Sequence, residues 1–79
     1  MKSKLPKPSS DIALSNREME TLILMADGLS KKEIADQLGI GATTVVTHVN
    51  HIYQKLNAAN APAAVSNAYE AGILPFKKK

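Results

Sequence analysis

Residues 30–56 read SKKEIADQLGIGATTVVTHVNHIYQKL, and the punctuation of this stretch decides the fold. Ser30 followed three residues later by Glu33 is a capping-box pattern, in which hydroxyl and carboxylate each satisfy a free backbone N–H at a helix start. Ile34, Ala35 and Leu38 give that helix one apolar face. Gly39-Ile40-Gly41 breaks it after about two turns. Helical periodicity then resumes from about Ala42 to Leu56. Val45, Val49, Ile52 and Leu56 recur at i, i+4, i+7 and i+11, which at about 100° per residue is one narrow stripe. The same arithmetic puts Thr43, Thr47, Asn50 and Gln54 on the opposite side. Two helices joined by a short glycine-bearing turn have the sequence shape of a helix-turn-helix.

The flanks repeat the same devices. Upstream, Ser15 and Glu18 form another capping-box pattern, so a helix begins there. Leu22, Met25, Ala26 and Leu29 lie at i, i+3, i+4 and i+7, and Ile23 and Leu24 widen the apolar surface enough to predict burial on two sides. Gly28 is placed to end this helix with positive φ. Downstream, Asn57 is a candidate C-cap for the long helix. Asn60 is a good N-cap for a fourth helix, which tolerates Pro62 in its first turn and ends at Gly72. Ala61, Ala64 and Ala68 suit close packing, while Pro62, Val65 and Tyr69 form a small neighbouring apolar stripe. No alternating strand pattern interrupts the series. The reading is an all-α, four-helix bundle in which helices 2 and 3 form the helix-turn-helix.

Composition bounds what such a chain does. Seventy-nine residues allow one domain with a modest core. There is no cysteine, so neither a disulfide nor a thiolate metal site braces it. No apolar run approaches the roughly 18–20 residues of a membrane span, and no apolar block follows the first lysines as in a secretory signal. A cytoplasmic protein is expected. The net charge of +3 is unevenly placed. Residues 12–74 hold four basic against six acidic side chains, whereas residues 1–11 and 75–79 hold six lysines against Asp11. Residues 1–11 read as a flexible basic arm or linker, 12–74 as the folded domain, and 75–79 as a basic tail. The serines at 15 and 30 are accounted for as caps rather than nucleophiles, so no enzyme is expected. His48 and His51 stand three apart on one helix without a third ligand, so no metal or other cofactor is expected.

From Leu14 to Leu74 the chain resembles, without a gap, the LuxR/FixJ-type (GerE-like) helix-turn-helix domains. The resemblance rests on Leu14, Arg17, Glu18, Gly28, Leu29 and Ser30. It continues through Lys32, Glu33, Ile34, Ala35 and Leu38 to Thr44, Val45, His48, Ile52, Lys55 and Leu56. It implies a bacterial transcription regulator whose third helix enters the major groove of double-stranded DNA and whose fourth helix often makes a dimer. The chain departs from the family pattern at Thr43, Val46, Gln54 and Ala61, where basic residues are usual. Fewer neutralised phosphates mean weaker binding with a shallower salt dependence.

On this resemblance the expected base contacts are Thr43, Val46, Thr47 and Asn50, near the start of the recognition helix. Asn50 suits adenine and the methyls of Val46 or Thr47 suit thymine, so the site should lean towards A·T pairs. Lys31, Lys32, Thr44, His48, His51 and Lys55 are expected on the DNA backbone, positioning without reading sequence. Arg17, Glu18 and Glu33 are assigned to caps and local ion pairs. Pro62, Val65 and Tyr69 are the expected dimer contact. Expected partners are double-stranded DNA, a second copy through the fourth helix and RNA polymerase, with no membrane. The chain reads equally as a stand-alone regulator or as the output domain of a longer one. The neutralised basic positions motivate one rival, a protein-interaction module with weak or no DNA binding. A sigma-type polymerase subunit is a second, disfavoured by the gapless resemblance through helix 4.

Overall fold

The computed structural model describes residues 12–74; the arm at 1–11 and the tail at 75–79 lie outside the described residues. Four helices follow in order, and no strand occurs among the described residues: α1 Asn16–Ala26, α2 Lys31–Leu38, α3 Ala42–Lys55 and α4 Ala61–Glu70.

Local chemistry sets each start. Ser15 Oγ accepts from the Glu18 N–H at 3.1 Å while Glu18 Oε1 accepts from the Ser15 N–H at 3.0 Å. Ser30 and Glu33 repeat the exchange at 3.2 and 2.7 Å. Asn60 Oδ1 accepts from the Ala63 N–H at 2.9 Å. Only α3 begins on a residue without a capping side chain, Gly41. The ends share one geometry. A residue with positive φ follows each helix: Gly28, Gly39, Asn57 and Gly72. The next N–H reaches back across the turn: Leu29 to Leu24, Ile40 to Ala35, Ala58 to Tyr53, Ile73 to Ala68. These are Schellman closures. The C-cap of α3 is Leu56, and Asn57 sits one position beyond it at φ 54°. Asparagine is among the few side chains that accept that region.

The central element is α3. Its N-terminal half packs Val45 and Val49 with Ile34 and Ala35 of α2. Its C-terminal half packs Ile52 and Leu56 with Leu22 of α1, Ala64 and Ala68 of α4, and Leu74. Met25 and Tyr53 join the two clusters. Small residues on α4 let its backbone approach closely, as their spacing predicted. The two-sided burial expected for α1 extends to the half-buried Leu24 but not to Ile23, which is 42% exposed. Thr21 is fully buried because its hydroxyl donates to the Arg17 carbonyl at 2.8 Å, leaving no unpaired polar group.

Candidate nucleic-acid interface

Because α3 is anchored along one stripe, its remaining faces have defined surroundings. Val45, Val49, Ile52 and Leu56 are buried. Thr43, Val46, Thr47, Asn50 and Gln54 are exposed, as the helical arithmetic requires. This outer face carries no charge. Thr47 Oγ1 donates to the Thr43 carbonyl at 3.2 Å, one turn back.

One flank of α3 carries Thr44, His48, His51 and Lys55. Thr44, His51 and Lys55 are exposed and His48 is half-buried. The C-terminal pair faces the start of α1. There Glu18, which closes the first capping box, is only 5% exposed. Its Oε1 accepts from Lys55 Nζ at 2.7 Å, and its Oε2 lies 3.1 Å from His51 Nδ1. Lys55 Nζ also donates to the Ala13 carbonyl at 2.8 Å. Burial pushes the Glu18 carboxyl up, but hydrogen bonds from Lys55, the Ser15 N–H and His51 together outweigh it. The carboxyl is held at about 2, against an ordinary 4.5. A carboxylate at that value brings no proton to the His51 contact, so Nδ1 is the donor and Nε2 is the ring nitrogen that Glu18 does not engage. Lys55 has three donors and spends two of them here.

The other named residues are dispersed around this centre. Lys31 and Lys32 are exposed at the start of α2 and form no ion pair with another described residue. On α4, Pro62 is exposed while Val65 and Tyr69 are half-buried against the core. Pro62 and Val65 border a shallow groove completed by Met25, Ala26, Ala61 and Ser66. The expected base contacts thus share one face, Lys31 and Lys32 stand on another helix, and His51 and Lys55 converge on Glu18. Sequence reasoning missed the depth of Glu18. The partners lie 33 and 37 residues away, and no local pattern announces them. It also missed Asn67, whose Nδ2 donates to the Leu56 carbonyl at 2.8 Å and ties α4 to the end of α3. Among the described residues, no three His, Cys, Asp or Glu side chains are grouped so as to hold a metal ion. No helix among them is long and apolar enough to cross a membrane.

Known proteins share this arrangement. The family of bacterial regulatory proteins of the luxR type matches residues 12–68. The oxygen regulatory protein NreC of Staphylococcus carnosus (strain TM300) is 44% identical over 63 residues, covering 80% of this chain and 29% of that protein. The HTH-type transcriptional regulator MalT of Vibrio cholerae is 44% identical over 55 residues, covering 70% of this chain and 6% of its own length. The crystal structure of ChrA, a response regulator in a heme-sensing two-component system, superposes with a TM-score of 0.76 at 42% identity. That match covers 78% of this chain and 31% of ChrA. The chain therefore spans less than a third of the length of these relatives. With its four helices, its central helix-turn-helix and a family match across most of its length, the chain belongs to the luxR family of bacterial regulatory proteins, as a sequence-specific DNA-binding domain and not an enzyme.

Proposed function

We propose that the domain binds its operator by laying α3 in the major groove, with Thr43, Val46, Thr47 and Asn50 against base edges. The observation that carries this reading is the division of α3. Its valine–isoleucine–leucine stripe is buried, while its neutral polar side is exposed and unobstructed. A helix held from behind in this way presents a rigid reading surface, so little ordering is left to be done on binding. Lys31, Lys32, Thr44 and His48 flank the reading face and take the DNA backbone. His51 through Nε2 and Lys55 through its remaining donor extend that line while staying fixed to Glu18. Two such domains meet through Pro62, Val65 and Tyr69 of α4. This spaces the recognition helices about one DNA turn, roughly 34–36 Å, on a near-palindromic site in the cytoplasm. RNA polymerase is the further partner of this reading, and the exposed Ile23 of α1 is the apolar surface offered for it. The same domain serves a stand-alone regulator or the output end of a longer chain.

Titration with duplex DNA followed by amide-shift mapping tests the docking. The largest shifts are expected at residues 42–50 and at the start of α2, fading as salt rises. Shifts confined to α4, or none at low salt, would overturn it. A second reading, a module for a protein partner, draws on the uncharged outer face of α3. Salt-insensitive retention of a protein partner together with no retention of duplex would favour it.

A further inference from the structure

The outer face of α3 lacks the groups that most often read guanine. It offers no arginine or lysine, so the usual bidentate contact to O6 and N7 is absent. What it offers instead is apolar. Val46 is 40% exposed, and Val46 and Ile23 are the exposed large hydrophobic side chains among the described residues. Val46 belongs to neither core cluster, and as a β-branched residue it is a mediocre helix former. Beside it, Thr47 spends its hydroxyl proton on the Thr43 carbonyl. The bond commits the hydroxyl proton of the exposed Thr47 to its own helix, so the γ-methyl is the part of that side chain left for an apolar contact. Val46 and Thr47 together therefore make a strip of methyl groups on the face that meets DNA, with the amide of Asn50 one turn further on.

We propose that this strip recognises the C5-methyl group of a pyrimidine in the major groove. The inference rests on α3 being the reading helix, as proposed above. A C5-methyl group is carried by thymine and equally by 5-methylcytosine, so the recognised feature is the methyl and not the A·T pair as such. Where the contacted step is C·G, operator binding responds to cytosine methylation.

A duplex selected by the domain from a random pool supplies the probe. At each pyrimidine of the half-site, thymine is replaced by deoxyuracil in one arm, and cytosine by 5-methylcytosine in the other. Losing a contacted methyl should weaken binding about 3–5-fold, and gaining one should strengthen it by the same factor. The Val46→Ala and Thr47→Ser variants should shrink these ratios towards one; Thr47→Ser keeps the hydroxyl and removes only the methyl. A thermal melt establishes that each variant is folded. At each step where deoxyuracil weakens binding, the thymine is also replaced by cytosine and by 5-methylcytosine: tighter binding of the 5-methylcytosine duplex supports the methyl as the recognised feature, and equal binding of the two overturns it. Equal affinity for methylated and unmethylated duplexes at every step overturns the proposal while leaving α3 as the reading helix. Failure to select any duplex at low salt overturns the docking as well, so the two failures are distinguishable.

Discussion

At the scale of single residues, Glu18 does the most with one side chain. It closes the cap of α1 and holds His51 and Lys55 of α3. Its folded value of about 2 lies below the ordinary 4.5, so it stabilises the fold fully above about pH 4.5. That contribution is lost as pH falls from there towards 2. His51 and Lys55 are partly exposed, so solvent screening reduces the effect to about 1–3 kcal/mol. Glu18→Gln should lose this amount at pH 7, and urea melts of the two proteins should converge as pH approaches 2. A gap that persists at that pH would show that Glu18 acts through shape and not charge. Asn50 belongs to the same scale. Asn50→Ala should cost about 1–3 kcal/mol at one base position, seen as relaxed preference there in a site selection. Lys31→Ala or Lys32→Ala should instead weaken all duplexes alike and lower the slope of log affinity against log salt by roughly 1.

At the scale of elements, the helix boundaries were legible because their chemistry is local. Ser15–Glu18 and Ser30–Glu33 each close within one turn, and the Gly28, Gly39 and Gly72 terminators act on their own helix. The turn between α2 and α3 depends most on this. Gly39 has φ 68° with open space around its absent Cβ, so Gly39→Ala meets no clash and costs backbone strain alone, about 1 kcal/mol. Ser30→Ala should cost about as much by freeing N–H groups at the start of α2. Chemical denaturation checks both, and the double substitution should be close to additive, since the two positions have no common partner.

At the scale of the whole molecule, the apolar stripe of α4 is too small to hold two copies together firmly. The free domain should sediment as a monomer and pair only on DNA with half-sites one turn apart. Tyr69→Ala and Pro62→Lys should then reduce cooperativity between paired half-sites with single half-site affinity kept, measured by titrating one-site and two-site duplexes. Intact cooperativity in both variants would remove α4 from the interface. Taken by itself, the sequence determined the four helices, their caps and the side of α3 that turns inward, because periodicity and capping are written within a few residues. Only the tertiary structure decided that Glu18 is buried beneath His51 and Lys55, that Ile23 stays outside, and that Asn67 holds the end of α3. Those outcomes depend on which surfaces meet across dozens of residues of chain, and contact between distant segments leaves no mark in the spacing of either one.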